Sequence, residues 1–173
     1  MKYMCIKRRI LTEYVTLDIE TTGFNFQKHK IIQIAVCKVK DGNIVDECTM
    51  FVNPKHPIHQ AVTEITGITN DELEKAETID KVIPKILEFI GQLPIVLHHS
   101  YFVMGFLKQN FTNLNISLDN QIIDTLLLCK KKLPNLKDYT IKTISKLLED
   151  DNVEINSLID YARWTFRVFE HVR

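Results

Sequence analysis

Long apolar runs, paired cysteines, low-complexity tracts and an excess of either charge are all missing from this chain. No stretch of its 173 residues approaches the roughly 20 consecutive apolar residues that a membrane-spanning helix needs. The basic start MKYMCIKRRILTEY lacks the apolar run of a signal peptide, so a soluble, cytoplasmic protein with no membrane partner is expected. Cys5, Cys37, Cys48 and Cys129 lie far apart with no CxxC and no Cys/His cluster, which argues against a zinc site and a disulfide framework and for reduced thiols. Lys plus Arg total 22, as do Asp plus Glu, so no overall basic field advertises nucleic-acid binding and any such contact must come from local patches. What is present is core-forming material: 45% of residues are hydrophobic and 25% charged, enough for one buried core. A single domain over residues 1–173 is expected, with 1–12 as a basic N-terminal extension.

The pattern along the chain predicts three strands first: Glu13 to Ile19, Lys30 to Lys40, and Ile44 to Val52, with Asp41-Gly42-Asn43 as the hairpin turn between the last two. Helices follow. Asn70 or Asp71 is the expected cap of one beginning near Asp71, and apolar residues recur at helical spacing from Ile79 to Ile90 until Gly91, with Pro84 expected to kink or shorten the run. Leu93 to Leu97 reads as a short buried strand, Phe102 to Phe111 as a helix, and Gln121 to Ile123 as a strand whose follower, Asp124, caps Thr125 to Lys132. Helices near Tyr139 to Leu148 and Ser157 to Val172 close the chain. Strands in a meander and then in alternation with helices predict an α/β layered fold with a mixed sheet.

Asp18-Ile19-Glu20 ends the first strand. Alternation along a strand puts both carboxylates on one face, a geometry suited to a hard divalent cation, although a DxE triplet is also what two solvated acids on an edge strand would look like. The apolar residues just before it set these acids beside the core, where an unpaired charge is costly, and that favours a ligand role.

With VTLDIETTGF (Val15 to Phe24), IIQIAVCKV, ITGITNDEL, VLHHSYFVMGFL (Val96 to Leu107) and IIDTLLLCKKKLPNLKDYTIKTISKLL, the chain resembles the DEDDh family of 3′-5′ exonucleases, which includes the proofreading epsilon subunit of DNA polymerase III and RNase T. The likeness runs in order from about Glu13 onward. It implies the RNase H-like exonuclease fold, a mixed central sheet flanked by helices. It also implies a site where four carboxylates hold two divalent metals, Mg²⁺ or Mn²⁺, while a histidine acts as general base. Asp18 and Glu20 match the first pair.

The remaining positions depart from the pattern. The family's second motif, HNAxFDxxFL, lies over His98 to Leu107 and puts Val103 where the acid belongs. Its third, HxxxxD, sets Asn156 at the histidine and Tyr161 at the last acid. Asp160 is a candidate substitute, but on the final helix it shares a stripe with Trp164, Arg167 and His171, a mostly polar set that faces solvent near Arg163 or Arg167. With Asp18 and Glu20 alone, metal binding is expected to be weak or absent. An asparagine cannot replace the base, whose contribution is roughly 10²- to 10⁴-fold.

Binding determinants implied by the likeness are Thr21, Thr22, Gly23 and Phe24 after the DxE motif, with His98 as a further candidate nucleotide contact; His98 and His99 could also ligate a softer cation, although satisfied structural histidines are the favoured reading. Phe24 could stack on a base or pack in the core. Lys28, His29 and Lys30, the run Lys130 to Lys132, and Lys7, Arg8 and Arg9 could follow a phosphate backbone or simply be solvated. Three functions are compatible: an impaired or inactive exonuclease relative that binds nucleic-acid 3′ ends, an active metal-dependent 3′-5′ exonuclease on single-stranded DNA or RNA, and a protein-interaction module.

Overall fold

The computed structural model describes residues 11–148 and 155–173. Lys7, Arg8 and Arg9 fall outside these, as does most of the expected N-terminal extension. One five-stranded mixed sheet forms the centre in the order β3-β2-β1-β4-β5. β1 (Glu13–Thr21), β2 (Ile31–Lys40) and β3 (Asn43–Phe51) pair antiparallel, and Asp41 and Gly42, both at positive φ, make the turn between β2 and β3. β4 (Ile95–Leu97) and β5 (Ile122–Asp124) extend the sheet in parallel from the other side of β1.

Seven helices surround the sheet among the described residues: α1 (Gln60–Thr66), α2 (Asn70–Lys75), α3 (Ile79–Ile90), α4 (Ser100–Leu114), α5 (Thr125–Lys132), α6 (Ile141–Leu147) and α7 (Leu158–Val172). Both faces of the sheet are covered, which is why β1 and β2 are almost continuously apolar rather than alternating. Val15, Leu17 and Ile19 of β1 enter a large cluster with Ile83 and Ile86 of α3 and Val103, Phe106 and Leu107 of α4. The residues between them face α7. Tyr14 meets Phe169 edge-on at 4.9 Å and its hydroxyl donates to Glu170, while Thr16 Oγ1 donates to the Ala162 carbonyl at 2.8 Å. The α7 helix is thereby fastened along one face of β1, and the next two residues of that face are Asp18 and Glu20.

The sequence pattern needs correction in four places. α1 was not anticipated, because its seven residues bury none of their side chains and so carry no apolar stripe. The cap of α2 is Thr69, in a reciprocal capping box with Glu72, while Asn70 Oδ1 accepts from the Ile58 N–H at 2.7 Å. Pro84 neither ends nor shortens α3, which continues to Ile90, because the burial of Val82, Ile83, Ile86 and Ile90 holds both halves on one face. The stripe of Asp160 is not polar throughout, since Trp164 is 2% exposed. No described helix is long and apolar enough to cross a membrane.

Candidate functional site

The site begins where β1 outruns its parallel neighbour. β1 pairs with β4 only at Val15 and Thr16, so Asp18 and Glu20 stand beyond the last β1–β4 bridge and retain partial access to solvent. Asp18 Oδ1 accepts the N–H of Ile19 at 2.8 Å. Burial nonetheless pushes Asp18 up to about 7, helped by the nearby charge of Glu20 and opposed by that one hydrogen bond. Burial raises Glu20 as well. Two acids on one face of a strand, both resisting ionisation, lack the positive charge that would let them ionise together.

The first turns of α7 supply the side chains around this pair. Tyr161, 36% exposed, carries a phenol raised above its ordinary value by burial and then by the charges of Glu20 and Asp18, which puts a protonated phenol in the electrostatic reach of both acids. Asp160 is directed elsewhere. Its Oδ2 accepts from Ser157 Oγ at 2.7 Å and from the Ser157 N–H at 3.0 Å, and its Oδ1 from Arg163 Nη1 at 2.9 Å. Arg163 in turn donates to both oxygens of Glu47 on β3, at 2.7 and 2.6 Å. Asp160 is therefore spent on capping α7 and on this surface network, and it does not join Asp18. Asn156 is exposed, and its backbone N–H also donates to Asp160 Oδ2, at 3.2 Å.

The side chains expected from the second motif are equally accounted for. Val103, 1% exposed, belongs to the apolar cluster of Leu17 and Ile19, where a valine gains roughly 1.5–3 kcal/mol from burial. His98 Nδ1 lies 2.9 Å from Thr125 Oγ1, and the ring meets Trp164 edge-on at 4.9 Å. Burial lowers its pKa, which favours the neutral ring, and these contacts hold the side chain in a packed position. His99 takes a left-handed backbone (φ 65°) to start α4. Asp124 accepts from the Ser100, Leu126 and Leu127 N–H groups and so fixes the starts of both α4 and α5, a capping role and not a metal-binding one.

After Glu20 the chain forms a tied lip. A register shift falls between Glu20 and Thr21, Thr21 Oγ1 donates to the Gly23 carbonyl at 2.8 Å, and Thr22 pairs with Lys30 through its N–H and its Oγ1. Gly23 is required here because a Cβ would come within 2.7 Å of the His29 ring. His29, in turn, accepts the Asn25 N–H through Nδ1 at 3.1 Å. Phe24 is 88% exposed, so the packed alternative for this ring does not hold; its nearest aromatic neighbour is Phe102, at 6.3 Å between centroids. Arg163 stands beside Asp160 as expected, but the burial of Trp164 and the role of Glu47 as the partner of Arg163 were not anticipated. Ser145, at 3.1 Å from the Trp164 indole Nε1, and Glu47 are too remote along the chain for any spacing rule to reveal.

Among the described residues no group of three or more His, Cys, Asp or Glu side chains is placed to hold a metal ion. A two-metal centre needs several anionic oxygens converging from different elements. Here one strand contributes two carboxylates, with Val103 in the core and a phenol at Tyr161. The described residues do not fit two divalent ions.

Residues 15–157 match the RNase T exonuclease family. DNA polymerase III of the PolC type from Clostridium perfringens is 38% identical over 158 residues, which are 91% of this chain and 11% of the polymerase. The corresponding protein of Bacillus cereus is 37% identical over 144 residues, 82% of this chain and 10% of its own length. This chain thus spans about a tenth of these relatives. Among solved structures, the nuclease domain of 3′hExo, a DEDDh family member bound to rAMP, superposes with a TM-score of 0.75 at 16% identity, over 94% of this chain and 92% of that domain. Exonuclease X in complex with 5′ overhanging duplex DNA gives 0.66 at 21% identity, over 90% and 89%. At these identities both establish the fold, which is the RNase H-like exonuclease fold.

Proposed function

The chain belongs to the RNase T exonuclease family and is related to proofreading exonucleases, and from that premise we propose that it has little or no catalysis and binds 3′ ends of single-stranded nucleic acid. The observation that supports this reading is that Asp18 and Glu20 have a phenol, Tyr161, within their electrostatic reach and, among the described residues, no third carboxylate, histidine or cysteine gathered with them to hold a metal. Family members generally use divalent metals. A site with two anionic oxygens-bearing groups instead of four leaves two such ions under-neutralised, so Mg²⁺ or Mn²⁺ binds weakly, as a single ion on Asp18 and Glu20, or not at all.

Each chemical requirement of phosphodiester hydrolysis is affected. The exposed Asn156 offers an amide that accepts no proton near neutral pH, so general-base assistance of roughly 10²- to 10⁴-fold is missing. Asp160 is engaged by Ser157 and Arg163 and supplies no third ligand. The features suited to holding an end of a strand are the lip of Thr21, Thr22 and Gly23 and the exposed ring of Phe24, which offers a face on which a base can stack.

Incubation of the purified protein with 3′-ended single-stranded DNA and RNA, with Mg²⁺ or Mn²⁺, tests the reading. Oligonucleotide binding without nucleotide release is the expected result. Release that Asp18→Ala abolishes overturns it in favour of an active exonuclease, and absence of both metal and oligonucleotide binding leaves a protein-interaction module.

A further inference from the structure

A groove of about 760 Å³ lies beside the Phe24 lip, between the outer side of α4 and the segment that carries Phe26 and Gln27. Its volume falls in the range of ligand pockets, about 300–1,000 Å³. Two rings connect it to the lip. Phe102 of α4 neighbours Phe24 at 6.3 Å and Phe106 at 5.2 Å, and Phe106 meets Phe26, which lines the groove, edge-on at 6.3 Å. The floor is close-packed: a Cβ on Gly105 would come within 2.6 Å of the Phe26 ring, so only glycine lets α4 approach this segment. Tyr101, Gly105, Lys108 and Thr112, spaced by four, three and four residues along α4, line one wall as a single stripe.

The chemistry of that wall is not that of a core. Tyr101 is 78% exposed and Lys108 is exposed, so an aromatic face and a cation stand over an opening. Gln27, Gln109 and Asn113 are among the residues that line the same groove, and Gln109 Oε1 is shielded from solvent without a hydrogen-bond partner. An aromatic face, amide groups and one cation match what a nucleotide presents: a π-face, a hydrogen-bonding edge and a phosphate.

We propose that this groove takes a nucleotide upstream of the strand terminus held at the lip, so that the protein grips a single strand at two places joined by the Phe24–Phe102–Phe106–Phe26 row. The assignment rests on the 3′-end reading above and extends it from one nucleotide to a length of strand. Lys108 neutralises a phosphate and Tyr101 stacks on a base.

Fluorescence anisotropy with oligothymidylates bearing a free 3′-hydroxyl, one a dinucleotide and one an octanucleotide, tests it on the full chain. The octanucleotide is expected to bind about tenfold more tightly than the dinucleotide, the scale of one stacked base. Tyr101→Ala should bring the ratio of the two affinities close to one, and Lys108→Ala should lower the salt dependence for the octanucleotide. Both side chains are exposed, so neither change removes core packing, and circular dichroism confirms that the variants fold. Equal affinities in the unaltered protein, or a ratio that survives Tyr101→Ala, overturn the groove while leaving the lip. Binding of neither oligonucleotide overturns both.

Discussion

Replacing Asp18 by asparagine should make the protein more stable at and above neutral pH, the reverse of what removal of a buried hydrogen-bonded acid normally does. Asp18 titrates near 7 in the folded chain against 3.8 as an ordinary aspartate, chiefly because burial disfavours its charged form and Glu20 adds to the effect. Between those values the native state binds more protons than the unfolded one, so stability falls as pH rises. The loss is absent below 3.8 and complete above 7. A difference of about three decades at 1.36 kcal/mol each sets a ceiling of about 4 kcal/mol. Water at the partly exposed carboxylate reduces this, so a gain of about 1–3 kcal/mol is expected for Asp18→Asn near pH 8. Urea unfolding of both proteins across this pH range measures it, and a melting increase of roughly 2–4 °C per kcal/mol should accompany it. The two proteins should converge in acid. An unaltered protein as stable as Asp18→Asn near neutrality, without added metal, would refute the electrostatic account. Large stabilisation by millimolar Mn²⁺ that vanishes in Asp18→Asn would show that a cation supplies the missing charge, against the weak binding proposed.

Restoring the family pattern with Val103→Asp, Asn156→His and Tyr161→Asp together should create Mn²⁺-dependent release of nucleotides from 3′ ends, at least about 10²-fold above background; no gain in a folded triple variant would count against the view that these three positions limit catalysis. Val103→Asp alone should cost about 2–4 kcal/mol by urea unfolding, because it sets a carboxylate in the apolar cluster of Leu17 and Ile19. Gly23→Ala should destabilise by about 1–3 kcal/mol through the contact with His29, and adding His29→Ala should recover part of it, a coupling read from a double-mutant cycle. Trp164→Ala should cost about 3–5 kcal/mol, since the indole is 2% exposed, packs on His98 and donates to Ser145.

The sheet and its long helices were legible because their signals are local. β2 is an unbroken apolar strand, α3 carries its apolar stripe to Gly91, and Asp124 sits one residue ahead of the helix it caps. The order of the blocks then fixed where Asp18, Val103 and Tyr161 should stand. What was not legible depends on partners distant in sequence. Trp164 looked polar-facing because its stripe holds Asp160, Arg167 and His171, yet the pocket it fills is made by His98 and Ser145. Phe24 is exposed because Gly23 turns the chain over His29, and neither residue alone predicts that. The direction of Asp160 was readable only as a helical phase; that Glu47 anchors Arg163, its partner, required the register of β3.

On the proposed reading, the side chains at Val103 and Tyr161 also account for how the fold accommodates a metal site with fewer carboxylates. Carboxylates crowded at a sheet end are tolerable where cations neutralise them, and without cations each added charge opposes folding. At α4 the position is filled by Val103, which joins the main core, and at α7 by Tyr161, whose protonated phenol adds no charge beside the pair. The acids on β1 are held there at a cost that burial sets: Asp18 is pushed up to about 7, with one hydrogen bond from Ile19 opposing the shift, and Glu20 is displaced in the same direction. Asp160, the one acid on α7 close enough in sequence to stand in, is engaged as the N3 partner of Ser157 in the capping box of that helix and as the partner of Arg163. On the proposed reading, stability and metal affinity pull in opposite directions at this end of the sheet, and Val103 and Tyr161 both favour stability. A single restored acid should accordingly weaken the fold before it improves the metal site, and only the combined restoration gives the charges a cation to share.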